Sequence, residues 1–481
     1  MTTIKLDPGA ALLLDALHGA GHAAYAVGGC VRDSLLGLAP HDWDLCTSAR
    51  PEQVMALFGE EKCIPTGLQH GTVTVKQGGR LYETTTFRTE GAYSDGRHPD
   101  AVCFVPDVRE DLARRDFTIN AMAYSAEEGL IDPFGGQDDL AAHLVRAVGE
   151  PERRFEEDAL RILRLYRFAA RFGFAIDPAT GAAARALGPH LDCVSAERIQ
   201  EELLKLLAAP RPGSYLESAV LAVVLPELEP EKQPERFAEL CRTIDRIEPT
   251  AENVPARLAA LLWPLGEAGA RKALRKLKCS NALTDEVTAL VGEGVGSFLL
   301  GHEFELRHPA DALCLERHSH PAGRCPNSNS LFPPQAAVVA VAGHSIARPI
   351  ACGNRVPPQR TVLGETPGTP NTTLTVQAKR LLGRYELPTI QRLTALCSAR
   401  HPEQAEAFAA LRAEAEQLTA ENACCRVSQL AVNGRDLMAA GVRPGPGLRQ
   451  VLNALLEAVI TGQTPNEKDA LLAAAAQFSA S

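Results

Sequence analysis

Leu13, Leu14, Leu17 and Ala20 recur near helical spacing at the start of the chain, which predicts an amphipathic helix over 7–24 closed by Gly19 and Gly21. The period then shortens to that of strands. AYAVGG reads as a short apolar strand running into Gly28 and Gly29, and VRDSLLG as a helical turn after it. If HDWDLC is a strand, alternation puts Asp42 and Asp44 on one face, their Cα atoms roughly 6–7 Å apart, and turns Trp43 to the core. SARPEQVMALF predicts a helix with Ser48 near its N-cap and Pro51 in its first turn. HGTVTVKQGGRLYETTTF predicts a hairpin around Gly78-Gly79, with Glu83 between Leu81 and Thr85 on one face of the second strand. YSDGRHPDAVCFV is rich in turn formers. EDLARRDFTINAMAY sets Arg114-Arg115-Asp116 before an apolar run, and LIDPFGG closes this unit with a strand and a turn.

From Glu152 the pattern becomes helical. RRFEEDALRILRLYRFAARFGF carries Ile162, Leu165, Ala169 and Phe172 as an apolar stripe, with Asp158, Arg161, Arg164 and Arg167 three residues apart. Such a ridge drifts around the helix by about 60° per step, so Asp158 and Arg161 are adjacent while Arg167 lies well round the cylinder. An i,i+3 ion pair on a solvated face is the ordinary reading of such a ridge. VSAERIQEELLKLL predicts a second helix whose Glu197, Arg198, Glu202 and Lys205 brace the first. Residues 215–296 are Ala/Leu-rich and helical, and Arg271–Lys278 reads either as a basic RNA-facing helix or as a solvated face. Residues 297–370 break the pattern with ten prolines and five of the thirteen histidines, and predict a poorly ordered insertion. Helical patterning resumes at VQAKRLLGRYELPTIQRL. The expected division is therefore 1–150, 151–214, 215–296, 297–370 and 371–481.

Length and composition fit this layout. A chain of 481 residues exceeds one core and predicts three or four domains. Few aromatics among many alanines and leucines favour helix. A net charge of −10 argues against an all-over positive surface, yet RNA binding needs only a local basic patch. Thirteen cysteines with no C-x-x-C pair, in a chain that opens without a signal peptide, predict a reduced cytoplasmic setting. The longest apolar run, 336–343, is far below the roughly 18 residues of a membrane span, so no membrane is expected. His318, His320 and Cys325 lack a second pair at finger spacing, which argues against zinc.

The chemistry gathers near Asp42. Two carboxylates on one strand face suit Mg²⁺, which keeps several waters and takes phosphate oxygens as further ligands. Gly28 and Gly29, between strand and helix, let backbone N–H groups approach a phosphate, with Arg32 placed to supply charge. Alone, a Gly-Gly pair is more often a plain turn; the nearby acidic pair favours the phosphate reading. Glu83 is either a third acidic group or a solvated strand residue. Of Arg114 and Arg115, either one points into a site or both lie on a solvated face.

Taken together, GGCVRDSLLG with DWD, HGTVTV with ETTTF, EDLARRDFTINAMA with IDPFGG, GEPERRFEEDALRILRLYRFAARFGF and AERIQEELLKLL resemble the bacterial tRNA nucleotidyltransferase and poly(A) polymerase family, best known from CCA-adding enzymes. The blocks run in the family's order over about residues 25–207. A weaker similarity returns in LAVNGRDLMAAGVRPGPGLRQVLNALLEAVITGQTPNEKDALL. The resemblance implies an α+β fold: a small mixed β-sheet nucleotidyltransferase head (1–150), then a helical neck that binds base and RNA (151–214), a helical body and a tRNA-binding tail. It implies that Asp42 and Asp44 bind catalytic Mg²⁺, that Gly29, Arg32 and Arg115 contact the nucleotide, and that Asp158, Arg161, Arg164 and Arg167 line its pocket. Glu83 matches a position proposed as a third carboxylate.

The implied reaction is template-independent addition of CCA to tRNA from CTP and ATP. A CC-only or A-only enzyme and a poly(A) polymerase share the same motifs, and an RNA-binding protein with an inactive head is the alternative of another class. Many relatives carry a phosphohydrolase domain, but the only His-Asp pair here is His41-Asp42, so no such activity is expected. Base choice follows from donors and acceptors. Cytosine and adenine present an amino donor beside a bare ring nitrogen, whereas uracil and guanine present a carbonyl beside an N–H. A carboxylate beside a guanidinium complements only the first pattern, so Asp158 with Arg161 can select C and A.

Overall fold

The computed structural model of the chain describes residues 3–91, 102–293 and 372–478. Helix α1 (Pro8–Gly19) starts where the Asp7 carboxylate accepts the N–H groups of Gly9 and Ala10, with Pro8 fixing the first helical φ. There follow β1 (Ala24–Val27), α2 (Gly29–Leu35), β2 (Leu45–Thr47), α3 (Pro51–Phe58), β3 (Cys63–Gly67), β4 (Thr72–Gln77) and β5 (Arg80–Thr86). A small ribbon pairs β6 (Arg88–Glu90) with β7 (Val102–Phe104). The unit closes with α4 (Val108–Ala113), β8 (Ala123–Ser125), β9 (Gly129–Ile131) and α5 (Gly136–Ala141).

These strands form one seven-stranded sheet in the order β3-β4-β5-β2-β1-β8-β9. All its pairings are antiparallel except β2 with β5, so the sheet is mixed as expected. Both faces are covered. On β1, Ala24 and Ala26 join one hydrophobic cluster with α1, while Tyr25 and Val27 join another with Phe87 and Leu112. A strand buried on both faces reads as a continuous apolar run, which is what AYAV is. The expected HDWDLC strand is shorter: regular pairing begins at Leu45, although the Asp44 carbonyl still accepts the Val27 N–H at 2.9 Å. Alternation survives in that lead-in, where Trp43 is buried between exposed Asp42 and Asp44. The expected cap of α3 also differs: Arg50 occupies the N-cap, and the Ser48 hydroxyl instead accepts the Ala23 N–H.

Strand β10 (Leu144–Val145) pairs with β11 (Ala175–Ile176) beside α6 (Pro151–Glu157), α7 (Leu160–Phe172), α8 (Pro178–Ala186) and α9 (Ala196–Leu207). The helix expected from Glu152 onward is thus two helices. Between them Asp158, the C-cap of α6, takes φ −149°, ψ 104° and ends the ridge's continuity, while its carboxylate accepts the N–H of Leu160, the first residue of α7, at 3.1 Å. The apolar stripe holds: Ile162, Leu165 and Ala169 are fully buried and Phe172 partly so.

The body contains α10 (Ser218–Val224), α11 (Pro234–Arg246), α12 (Val254–Leu262), α13 (Gly266–Lys276), α14 (Asn281–Gly292), α15 (Thr372–Arg384), α16 (Leu387–Arg400) and α17 (Ala405–Ala420). One cluster of buried side chains runs from α1 through α17. Within it Arg257 is wholly buried, donating to the carbonyls of Leu207, Ala209 and Ile247 at 2.7, 2.5 and 2.6 Å. The last helices, α18 (Gly434–Ala439), α19 (Pro446–Ile460) and α20 (Lys468–Phe478), have a separate small core around Leu437, Leu455 and Leu471. Most of the turn-rich stretch before Val102, the Pro/His-rich insertion, the run 336–343 and His318, His320 and Cys325 lie outside the described residues. Among the described residues no helix is long and apolar enough to cross a membrane.

Candidate active site

The sheet order brings together carboxylates that are distant in sequence. The parallel register Leu45↔Thr84 continues one residue toward the N-termini of both strands, setting Asp44 beside Glu83. Tyr82 and Thr84 point inward and are buried, so Glu83 stands on the exposed face, where Asp44 also opens. Asp42 lies two residues before Asp44, and its Oδ1 is 3.1 Å from the His41 ring. Partial removal from water pushes the Asp44 pKa up to about 6, Glu83 and Asp42 add to the rise, and Arg115 opposes it.

Neither Asp44 nor Glu83 has a side-chain hydrogen bond or ion pair among the described residues. Three acidic side chains near one another, one of them reluctant to ionise, are the donor set a hard divalent cation relieves. Among the described residues no three side chains converge tightly enough to hold an ion by themselves. That suits a cation completing its shell with water and phosphate oxygens.

Gly28 is the residue that makes the adjoining turn possible. Its φ of +75° is one that side chains rarely adopt, and an added Cβ would lie 2.8 Å from Nη1 of Arg115. Gly29 then begins α2, three residues before Arg32. Arg32 is only 3% exposed. It donates to Asp33 at 2.8 Å and to Asn120, and its guanidinium lies 4.8 Å from the Phe172 ring centroid and 5.3 Å from that of Phe168. Of the Arg114-Arg115 pair, Arg114 grips buried Asp111 at 2.8 Å. Arg115 reaches the same carboxylate only at 3.4 Å, and its buried Nε has no partner among the described residues. It is Arg115 that turns toward Gly28 and Asp44.

The α7 arginines are also gathered, Arg167 through the expected brace Glu202 and the others through partners the sequence pattern did not assign to them. Arg164 donates to Asp116 through Nε and Nη2 at 2.9 and 2.6 Å. Burial would raise the Asp116 pKa, but Arg164, Asn120 and Arg161 hold it down to about 2. Arg167 bonds Glu202 of α9 at 2.5 Å and lies over Phe168. Arg161 does not pair with Asp158. Its Nη1 donates to Glu157 at 2.7 Å and to the Arg154 carbonyl at 3.0 Å, and its Nη2 to the Arg114 carbonyl at 3.1 Å. By donor count this leaves Nε and one Nη2 proton for a ligand. Asp158 is held separately, by Leu160 N–H and by Arg198.

The residues missed from sequence are therefore the holders: Asp33, Asp116, Asn120 and Glu157. Their signal was adjacency, since three of the four directly flank a selected arginine or aspartate. Asn120 gave none, because only the fold brings it to Arg32.

Three family models match the chain. The poly A polymerase head domain covers residues 24–146, the probable RNA and SrmB-binding site of polymerase A covers 173–232, and the putative domain 2 of tRNA nucleotidyltransferase covers 382–475. A CCA-adding enzyme of Lactiplantibacillus plantarum is 33% identical over 96% of this chain and 93% of its own length. That of Leuconostoc citreum is 44% identical over 52% of this chain and 60% of its own. Among solved structures, the Bacillus stearothermophilus CCA-adding enzyme in complex with CTP is 29% identical, with a TM-score of 0.70 over 98% of both chains. The Thermotoga maritima CCA-adding enzyme complexed with tRNA shares the fold at 19% identity and a TM-score of 0.59.

Proposed function

The chain belongs to the CCA-adding tRNA nucleotidyltransferase family, and from that premise we propose that it adds CCA to tRNA 3′ ends from CTP and ATP, releasing pyrophosphate without a nucleic-acid template. The observation that supports this reading is Asp44 close to Glu83, with Asp42 two residues before it and the Gly28 turn alongside. Enzymes of this family use a divalent metal. We assign the ion here as Mg²⁺, held by Asp42 and Asp44 with Glu83 as a third carboxylate. When bound, such an ion eases ionisation of the attacking 3′-hydroxyl and the charge left on pyrophosphate.

The protein's own groups supply position and field. Gly29 and the α2 N-terminus lie against the triphosphate. Arg115 offers a charge with an unused N–H, and Arg32 sets a positive potential behind the turn. Asp158 and Arg161 face the base, accepting the amino group and donating to the ring nitrogen of C or A. Uracil or guanine would leave these groups mismatched, at about 1–3 kcal/mol per unsatisfied group. Arg164 and Arg167 fix α7 against the head and against α9. In this assignment residues 1–150 carry the chemistry, 151–214 the base choice, and the body and tail the tRNA.

The deciding assay offers tRNA trimmed to its discriminator base with CTP alone, ATP alone or both. Three added residues only with both nucleotides is the expected result. A stop after CC, or action only on CC-ended tRNA, would point to a partial enzyme, and a long adenosine tail to a poly(A) polymerase. Asp42→Ala should reduce incorporation at least about a thousandfold if its carboxylate holds the ion. Unchanged incorporation would remove Asp42 from the site, and wild-type chain that binds tRNA without incorporating would leave only an RNA-binding role.

A further inference from the structure

Asp158 lies in neither α6 nor α7, and the backbone alone does not aim its side chain. Two bonds do. Oδ1 accepts the Leu160 N–H at 3.1 Å, and Oδ2 accepts Nη2 of Arg198, in the first turn of α9, at 2.8 Å. The pair is largely withdrawn from water, with side chains 15% and 22% exposed. One bond to each oxygen fixes the plane of the carboxylate, whereas either bond alone would leave it free to turn. Arg161 is held independently by Glu157 and two carbonyls. Arg198 therefore acts on the acceptor half of the base-facing pair and leaves the donor half in place.

We propose that Arg198 is a specificity-determining positioning residue: it locks the Asp158 carboxylate in the orientation that meets the incoming base, so that amino-bearing C and A are admitted and carbonyl-bearing U and G are turned away. This rests on the reading of Asp158 as base-facing. An ionised carboxylate only accepts hydrogen bonds, and with about four lone-pair directions, two of them occupied, it retains acceptor capacity for a base amino group. A carbonyl oxygen placed there meets acceptor against acceptor. That repulsion discriminates only if the carboxylate cannot swing aside when the wrong base enters, and the Arg198 bond prevents the swing. Exclusion of wrong bases is thus more sensitive to Arg198 than the rate of transfer is.

The test uses the full chain, Mg²⁺, tRNA lacking its CCA end and each of CTP, ATP, UTP and GTP. Arg198→Met keeps the hydrocarbon and removes the donors. The CTP-to-UTP ratio of kcat/KM should fall at least about tenfold, with a rise of similar size in KM for CTP and no more than about a threefold drop in kcat. Arg198→Lys, which keeps a charged donor, should recover most of the ratio, and Arg198→Gln should fall between. If Arg198→Met does not fold, the ordering of Lys above Gln carries the test. A ratio unchanged in all three variants, while Asp158→Ala loses it, overturns the role of Arg198 and leaves Asp158 as the reader. A ratio unchanged in Asp158→Ala overturns the base-facing reading and this proposal with it. Equal loss for all four nucleotides, with no rescue by Lys, shows a brace without selectivity and also overturns the proposal.

Discussion

Asp44 carries the strongest conflict among the described acidic residues at the site, and its sign can be measured. Its folded pKa of about 6 lies above the ordinary 3.8, so the folded protein holds that proton more tightly than the unfolded chain does. The preference stabilises the fold fully below about pH 4 and is lost as pH rises through about 6. Metal-free wild-type protein should therefore lose stability across that window relative to Asp44→Asn. Added Mg²⁺ should raise the wild-type melting temperature at pH 7.5 while leaving the variant, which should not incorporate nucleotide, nearly unmoved. Parallel melting profiles from pH 4 to 7, with equal Mg²⁺ shifts, would remove Asp44 as a metal-linked group. At this scale the sequence was informative about types and less so about partners. Alternation placed Asp42, Trp43 and Asp44 on the correct faces because a two-residue period needs no tertiary knowledge. Glu83 stayed ambiguous until the parallel β2–β5 pairing was known, since no local pattern reports which strands are neighbours.

At the scale of elements, the joint between α6 and α7 was the least legible feature. The stripe of Ile162, Leu165 and Ala169 runs on in helical phase and conceals the break, although an aspartate ahead of an apolar helix is itself a start signal. The ridge breaks at its first residue for that reason and is continuous only through the three arginines inside α7. The anchoring of α9 was equally hidden: Arg257 lies in an apolar stretch, RLAALL, and collects the carbonyls at the end of α9 together with that of Ile247. Arg257→Met would strand several buried acceptors, and we expect a loss of about 3–5 kcal/mol in urea unfolding. Because α9 carries Arg198 and Glu202, nucleotide discrimination should weaken in the same variant under conditions where it remains folded. A loss below about 1 kcal/mol would mean that water replaces the guanidinium.

Across the whole molecule, the head and body share one continuous core while the final helices keep their own. The two parts should then respond separately to damage. Leu455→Ala, in the small core, should cost about 2–5 kcal/mol locally. Amide exchange should quicken over 430–478 and KM for tRNA should rise, while CTP binding and the main melting transition stay close to wild type. Faster exchange spread evenly over the head would show a single cooperative unit instead. The helical character of these regions was legible from periodicity. Their separation was not, because core membership depends on which apolar faces meet.

One contact at the start of the chain reaches further than its position suggests. The cap residue of α1, Asp7, receives the Tyr82 hydroxyl and, at 2.7 Å, Arg80. Tyr82 is thereby tied inward, and in a strand with a two-residue period this commits Glu83 outward toward Asp44. The contact works as a parity check on β5. A single residue inserted between Gly78 and Gly79 can be absorbed in the turn, with Asp7 keeping Tyr82 in phase, whereas one inserted between Tyr82 and Glu83 cannot. Lineages of this chain should accordingly tolerate length changes at the hairpin tip and exclude them a few residues further along.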